Sequence, residues 1–169
     1  MLDVGRSSML TSRRDYMLRI IDEVGELLAR IVFQRTKSRP QDALQSVVGA
    51  CERLFGLESD KLFQFTPEQQ HAMLIEHEPP AIAAQKVLLY AALNAEAGKI
   101  YTALGNQPMA HGSFVNALRL TLKADISFPH ERQPAFAPRV PDLLDALKAA
   151  PLDAETAALL RTAIPAGKP

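Results

Sequence analysis

Met17, Ile20, Ile21, Val24, Leu27, Leu28, Ile31 and Val32 recur every three or four positions, with Arg19, Asp22, Glu23, Glu26 and Arg30 between them. That period marks one apolar face of an α-helix. It begins only after about Asp15. Residues 1–14 therefore read as an N-terminal extension, with 1–8 expected to lack fixed structure and Met9 a second possible start of translation. The basic run QRTKSRP (34–40) closes the helix. Ser38 and Gln41 have capping-box spacing around Pro40, which opens a second helix with the face Ala43, Leu44, Val47, Val48, Cys51 and Leu54. Gly56 is a C-terminal stop.

Residues 57–79 are less regular. Ser59 opens a short turn containing Leu62 and Phe63. TPEQ (66–69) is a capping box, with Thr66 as cap and Pro67 in the first position. EPP (78–80) ends that helix early. Pro80 begins a long helix that reaches about Leu104 and stops at Gly105. Asn106 and Pro108 start the next, which runs to about Lys123. So short a turn forces the two helices into an antiparallel αα-hairpin. Pro129, Pro134, Pro138 and Pro141 make 124–139 a Pro-rich linker. The tail, 140–169, offers two short helices, Pro141–Ala150 and Asp153–Ile164, the second capped by Asp153. No stretch alternates as a strand does. The expected fold class is all-α, with about six to eight helices.

Within Gly98–Leu118 the residues Gly98, Tyr101, Gly105, Ala110, Phe114 and Ala117 fall at even intervals. Gly98 has no side chain, so a second helix can approach, and small Ala110 is expected to face it. Tyr101, Phe114 and Leu118 would fill the surrounding space. This spacing resembles the tetratricopeptide repeat. Asn94 and Leu122 stand where that repeat usually has Trp and Pro. A weaker copy lies about 67 residues earlier, near two 34-residue periods. In it Ala43, Val47 and Ala50 match Ala110, Phe114 and Ala117, Ala29 replaces Gly98, and Val32 replaces Tyr101. DYMLRIIDEVGELLARIVF followed by DALQSVVGACERLFGL is similar to the opening of a small bacterial tetratricopeptide-like family of no assigned function. The resemblance covers roughly 15–123. It implies antiparallel helix hairpins stacked as a right-handed superhelix, and no activity. The shortfall of repeats would be met by the tail acting as a cap or by a second subunit.

Composition narrows the partners. Lys+Arg and Asp+Glu are both 19, a net charge of zero, which recommends neither nucleic acid nor a membrane surface. Aromatic residues are 6%, too few for base-stacking platforms. The basic groups Arg13, Arg14, Arg19 and Arg35, Lys37, Arg39 fall at opposite ends of the first helix, not in one footprint. A single cysteine, no apolar h-region and no membrane-length apolar run together suggest the cytoplasm.

Catalytic signals are missing. His71 and His77 are spaced six apart without an HExxH pattern, so no metal site is expected. Cys51 lies on an apolar face and reads as a small buried hydrophobe. No P-loop, GxGxxG or GxSxG motif occurs, and no cofactor is implied. The expectation is a non-enzymatic interaction module that holds an unidentified protein or peptide in a helical groove. Its surface would combine Glu23, Glu26, Arg30, Phe33 and Gln34 with Ala92, Ala95, Glu96, Lys99, Thr102 and Ala103. The alternatives are a structural homo-oligomer such as a homodimer, and an enzyme with an unrecognised site.

Overall fold

The computed structural model describes residues 3–164. They form eight helices: α1 (Asp3–Thr36), α2 (Pro40–Phe55), α3 (Ser59–Leu62), α4 (Pro67–Ile75), α5 (Pro80–Ala103), α6 (Gln107–Ser127), α7 (Val140–Ala146) and α8 (Ala154–Ala163). Among the described residues there is no strand, so the protein is all-α.

The central element is α5. Its sequence, PAIAAQKVLLYAALNAEAGKIYTA, is apolar around most of its circumference, which is the pattern of a helix buried on several sides. Helices α1, α2, α4 and α6 all pack on it. By contrast, α2 is amphipathic and buries only Ala43, Val47, Ala50, Cys51 and Leu54. Helix α6 pairs with α5 and carries α7 and α8 on its other side. The core therefore has two parts. One gathers α1, α2, α4 and α5 around Val24, Ile31, Leu89 and Leu93. The other joins α6 to the tail through Phe114, Leu118, Leu122, Leu143 and Leu147. Tyr101 touches both parts.

Buried polar groups fasten the small helices. Gln70 on α4 accepts a hydrogen bond from the Tyr90 hydroxyl at 2.8 Å and donates to the Leu62 carbonyl at 3.0 Å. Its donor and acceptor are both satisfied, so its burial carries no desolvation penalty of an unmade bond.

Most helix ends follow the sequence signals. Thr66 and Gln69 exchange both bonds of the capping box, at 2.9 and 3.1 Å. Gly56 and Gly105 adopt positive φ at the ends of α2 and α5. Asn106 and Asp153 cap α6 and α8 through their side chains.

Three boundaries need correction. Helix α1 runs through the expected boundary at 14/15 and begins at Asp3, the first described residue; 1–2 lie outside the described range. Residues 11–16 are exposed, so no core-facing period could appear there. The helix continues by propagation from its packed half. At the next turn Ser38 does not cap α2. It sits at φ 59°, and Arg39 N–H reaches back to the Gln34 carbonyl at 3.0 Å, closing α1. Arg39 is the N-cap of α2 and makes no side-chain cap bond. Helix α6 extends to Ser127, so the linker proper starts at Phe128.

Candidate functional site

A cleft of about 780 Å³ opens where α1, α5 and the linker meet. Its floor and near wall are Gly25, Leu28, Ala29 and Val32 from α1 and Ala92, Ala95, Glu96 and Lys99 from α5. Small side chains on both helices leave the space between them. Phe114 lies at its inner end, and Ala135–Arg139 of the linker with Asp142, Leu143 and Ala146 of α7 form the far wall. The volume lies in the range of ligand pockets, and the lining is mostly apolar with a few polar groups, as in such pockets.

The polar groups are fixed from within. Arg35 Nε donates to Glu96 Oε2 at 2.7 Å, and Lys99 Nζ donates to Glu96 Oε1 at 3.1 Å. Both carboxylate oxygens are engaged, and the Glu96 side chain is only 9% exposed. Lys99 is 49% exposed, so its ammonium is held at the mouth with donors still facing outward. Arg139 and Asp142 stand exposed on the opposite rim.

Of the residues singled out from sequence, Ala92, Ala95, Glu96 and Lys99 line this cleft. The α1 residues do not. Glu23 accepts from Arg53 of α2 at 2.6 Å, and that hydrogen bond holds its carboxyl below the usual range. Glu26 and Arg30 share a separate shallow depression with Glu23 and Arg53. Gln34 accepts from Ser46 of α2 at 2.7 Å. Phe33 is exposed, with the Lys37 ammonium 5.7 Å from its ring. Thr102 lies a turn beyond the cleft and donates to the Gly98 carbonyl at 2.8 Å. Ala103 is exposed at the end of α5. The reason is geometric. Helix α1 packs on both α2 and α5, so its polar stripe borders α2 and a different stripe faces the cleft.

Gly98, Ala110, Phe114 and Ala117 are buried, and Gly105 has φ 75°. The closest approach to Gly98 is by the Phe114 ring. Ala29, the expected counterpart of Gly98, is exposed and belongs to the cleft wall, and Val32 is half-buried there.

Sequence reasoning missed Gly25, Leu28, Phe136 and Arg139. The Gly25/Ala29 pair, two small residues one turn apart, was the available signal. It also missed a second groove, about 240 Å³, between α2 and α6, whose rim carries Phe63 and Met109, 55% and 48% exposed.

Burial also shifts titratable groups away from the cleft. Burial pushes the Cys51 thiol up to about 12, which leaves it protonated. Burial, and secondarily Lys123, lowers the pKa of His71, whose Nε2 has no hydrogen-bond partner among the described residues. Among those residues no three His, Cys, Asp or Glu side chains converge on a possible metal position. No helix among them is long and apolar enough to cross a membrane. Compared with protein-family models, with curated proteins and with solved structures, the chain finds no match.

Proposed function

We propose that the protein is a non-enzymatic interaction module that takes a protein or peptide segment into the α1–α5 cleft. One observation carries this reading: an open apolar cleft whose mouth holds an outward-facing lysine, oriented by a buried carboxylate. The apolar lining supplies affinity and Lys99 with Arg139 supplies orientation toward acidic groups. The α5–α6 hairpin supports a tetratricopeptide-like unit, because it joins a tight Gly105 turn to a close helix contact at Gly98.

The experiment is affinity capture from the source cell, followed by reversal of the rim charge. Lys99→Glu should weaken an acidic partner by roughly 1 kcal/mol or more, with the larger loss at low salt. Helical content should not change. Lys148→Glu, in the tail, should have no effect. A partner retained fully by Lys99→Glu but released by substitutions on the outer face of α2 or α6 overturns the cleft reading.

A second reading is a homo-oligomer, favoured by the exposed Phe63 and Met109 on the α2–α6 groove. Light scattering over a range of concentrations tests it; a monomer throughout removes it.

A further inference from the structure

The α5 wall of the cleft is polar at one end only. Ala92, Ala95 and Lys99 succeed one another along it, and Lys99 stands roughly 10 Å beyond Ala92. Opposite, Leu28, Ala29 and Val32 of α1 are apolar, as are Phe136 and Leu143 of the far wall. That far wall is fixed in place. Ala137 N–H donates to the Pro134 carbonyl at 3.0 Å, and the Phe136 ring packs on the core.

Charge at the polar end does not balance. Arg35 and Lys99 share the single carboxylate of Glu96, at 2.7 and 3.1 Å. Arg139 and Asp142 cancel each other on the opposite rim. One positive charge is left over, and it lies at the mouth. The Lys99 ammonium has three donors, spends one on Glu96 and is 49% exposed.

A ligand suited to this place has one negative head and a tail without hydrogen-bonding groups. A peptide backbone laid along the apolar stretch would meet no side-chain donor or acceptor there. An alkyl chain has none to satisfy, and the short side chains of Ala92 and Ala95 leave it room. We propose that the cleft binds a free aliphatic monocarboxylate of the fatty-acid type, with its carboxylate on Lys99 Nζ and its chain lying along Ala95 and Ala92. This goes beyond the reading above: the two share the cleft, but the occupant is a small amphiphile instead of a protein segment.

The test is calorimetric titration of the full chain with straight-chain acids from hexanoate to dodecanoate, each below its micelle concentration. Affinity should rise about fourfold for each methylene buried, then level off when the chain outgrows the cleft. Decanol should bind at least about tenfold more weakly than decanoate, because it lacks the charge that Lys99 meets. Lys99→Gln should erase that difference. Ala29→Phe fills the cleft from an exposed position on its wall, so it should melt like the parent and bind neither compound.

No binding of any acid by the parent overturns the proposal. So does binding that survives Ala29→Phe and keeps rising with chain length, which is adsorption elsewhere on the surface. Binding to vesicles of anionic phospholipid without binding of the free acids also overturns it. If Ala29→Phe melts earlier than the parent, Lys99→Gln decides alone, and an undiminished preference for acid over alcohol overturns the proposal. Failure here is distinguishable from failure of the protein-binding reading. A captured partner sensitive to Lys99→Glu, with decanoate unbound, leaves that reading standing and removes this one; decanoate bound as described, with no partner captured, does the reverse.

Discussion

The ring of Phe114 on α6 occupies the space that a Cβ on Gly98 of α5 would need: three ring atoms lie 2.7–2.8 Å from that position. Phe114 is buried and held between two helices, so its ring has little freedom to swing aside. Gly98→Ala would gain helix propensity of roughly 0.5–1 kcal/mol but meet this overlap. The overlap should win, with a net loss of about 1–3 kcal/mol, and Gly98→Leu should lose more. Combining Gly98→Ala with Phe114→Leu should recover part of the loss in thermal melts. Additive losses would show that the two positions are not in contact.

Removing residues 140–169 should uncover Phe114, Leu118 and Leu122 on α6, which Leu143 and Leu147 now cover. Losing two buried leucines alone is worth about 3 kcal/mol or more. The truncated chain should melt earlier and self-associate in light scattering. Equal stability and monodispersity would show the tail to be dispensable.

His71 gives a pH dependence with a definite sign. Its folded pKa lies below the ordinary value of 6.5, because burial, and then Lys123, disfavours the imidazolium. Between that lowered value and about 6.5 the unfolded chain binds more protons than the folded one. Stability from this group is therefore complete above about pH 6.5 and declines as pH falls through the window below it. His71→Gln should flatten that part of the curve. An identical decline in the variant, by denaturant titration at several pH values, would assign the effect elsewhere.

Cys51 should be unreactive in the folded chain. Its burial and raised pKa remove both access and thiolate. Thiol reagents should label it at least about a hundredfold more slowly in buffer than in denaturant, since reaction waits on opening. Equal rates would place Cys51 on an accessible surface.

What the sequence made legible was local. Thr66 with Gln69, Gly105 with Asn106, and Asp153 each specify an end within a few residues, and each is found there. Features that depend on a partner elsewhere in the chain were not legible. Residues 11–16 of α1 carry no core-facing apolar period because they are exposed. Ser38 takes a left-handed conformation that glycine more often supplies, so its spacing to Gln41 misled. Pattern alone could not tell which stripe of α1 faces α2 and which borders the cleft, because both neighbours are apolar. This is why Glu23, Arg30 and Gln34 were placed with Lys99, whereas Glu23 and Gln34 bond Arg53 and Ser46 on α2. Phe136 lay in a Pro-rich linker, where nothing marks an aromatic ring as inserted.

The position of α5 has a consequence for how the protein comes apart. In a linear array each repeat touches only its neighbours, and units can be lost from an end one at a time. Here α1, α2, α4 and α6 all lean on one helix drawn from the middle of the chain. Each of them loses cover for part of its apolar face if α5 leaves. Denaturation should therefore be a single cooperative step, with signals from Tyr16 near one end of the chain and Tyr101 near the centre disappearing together.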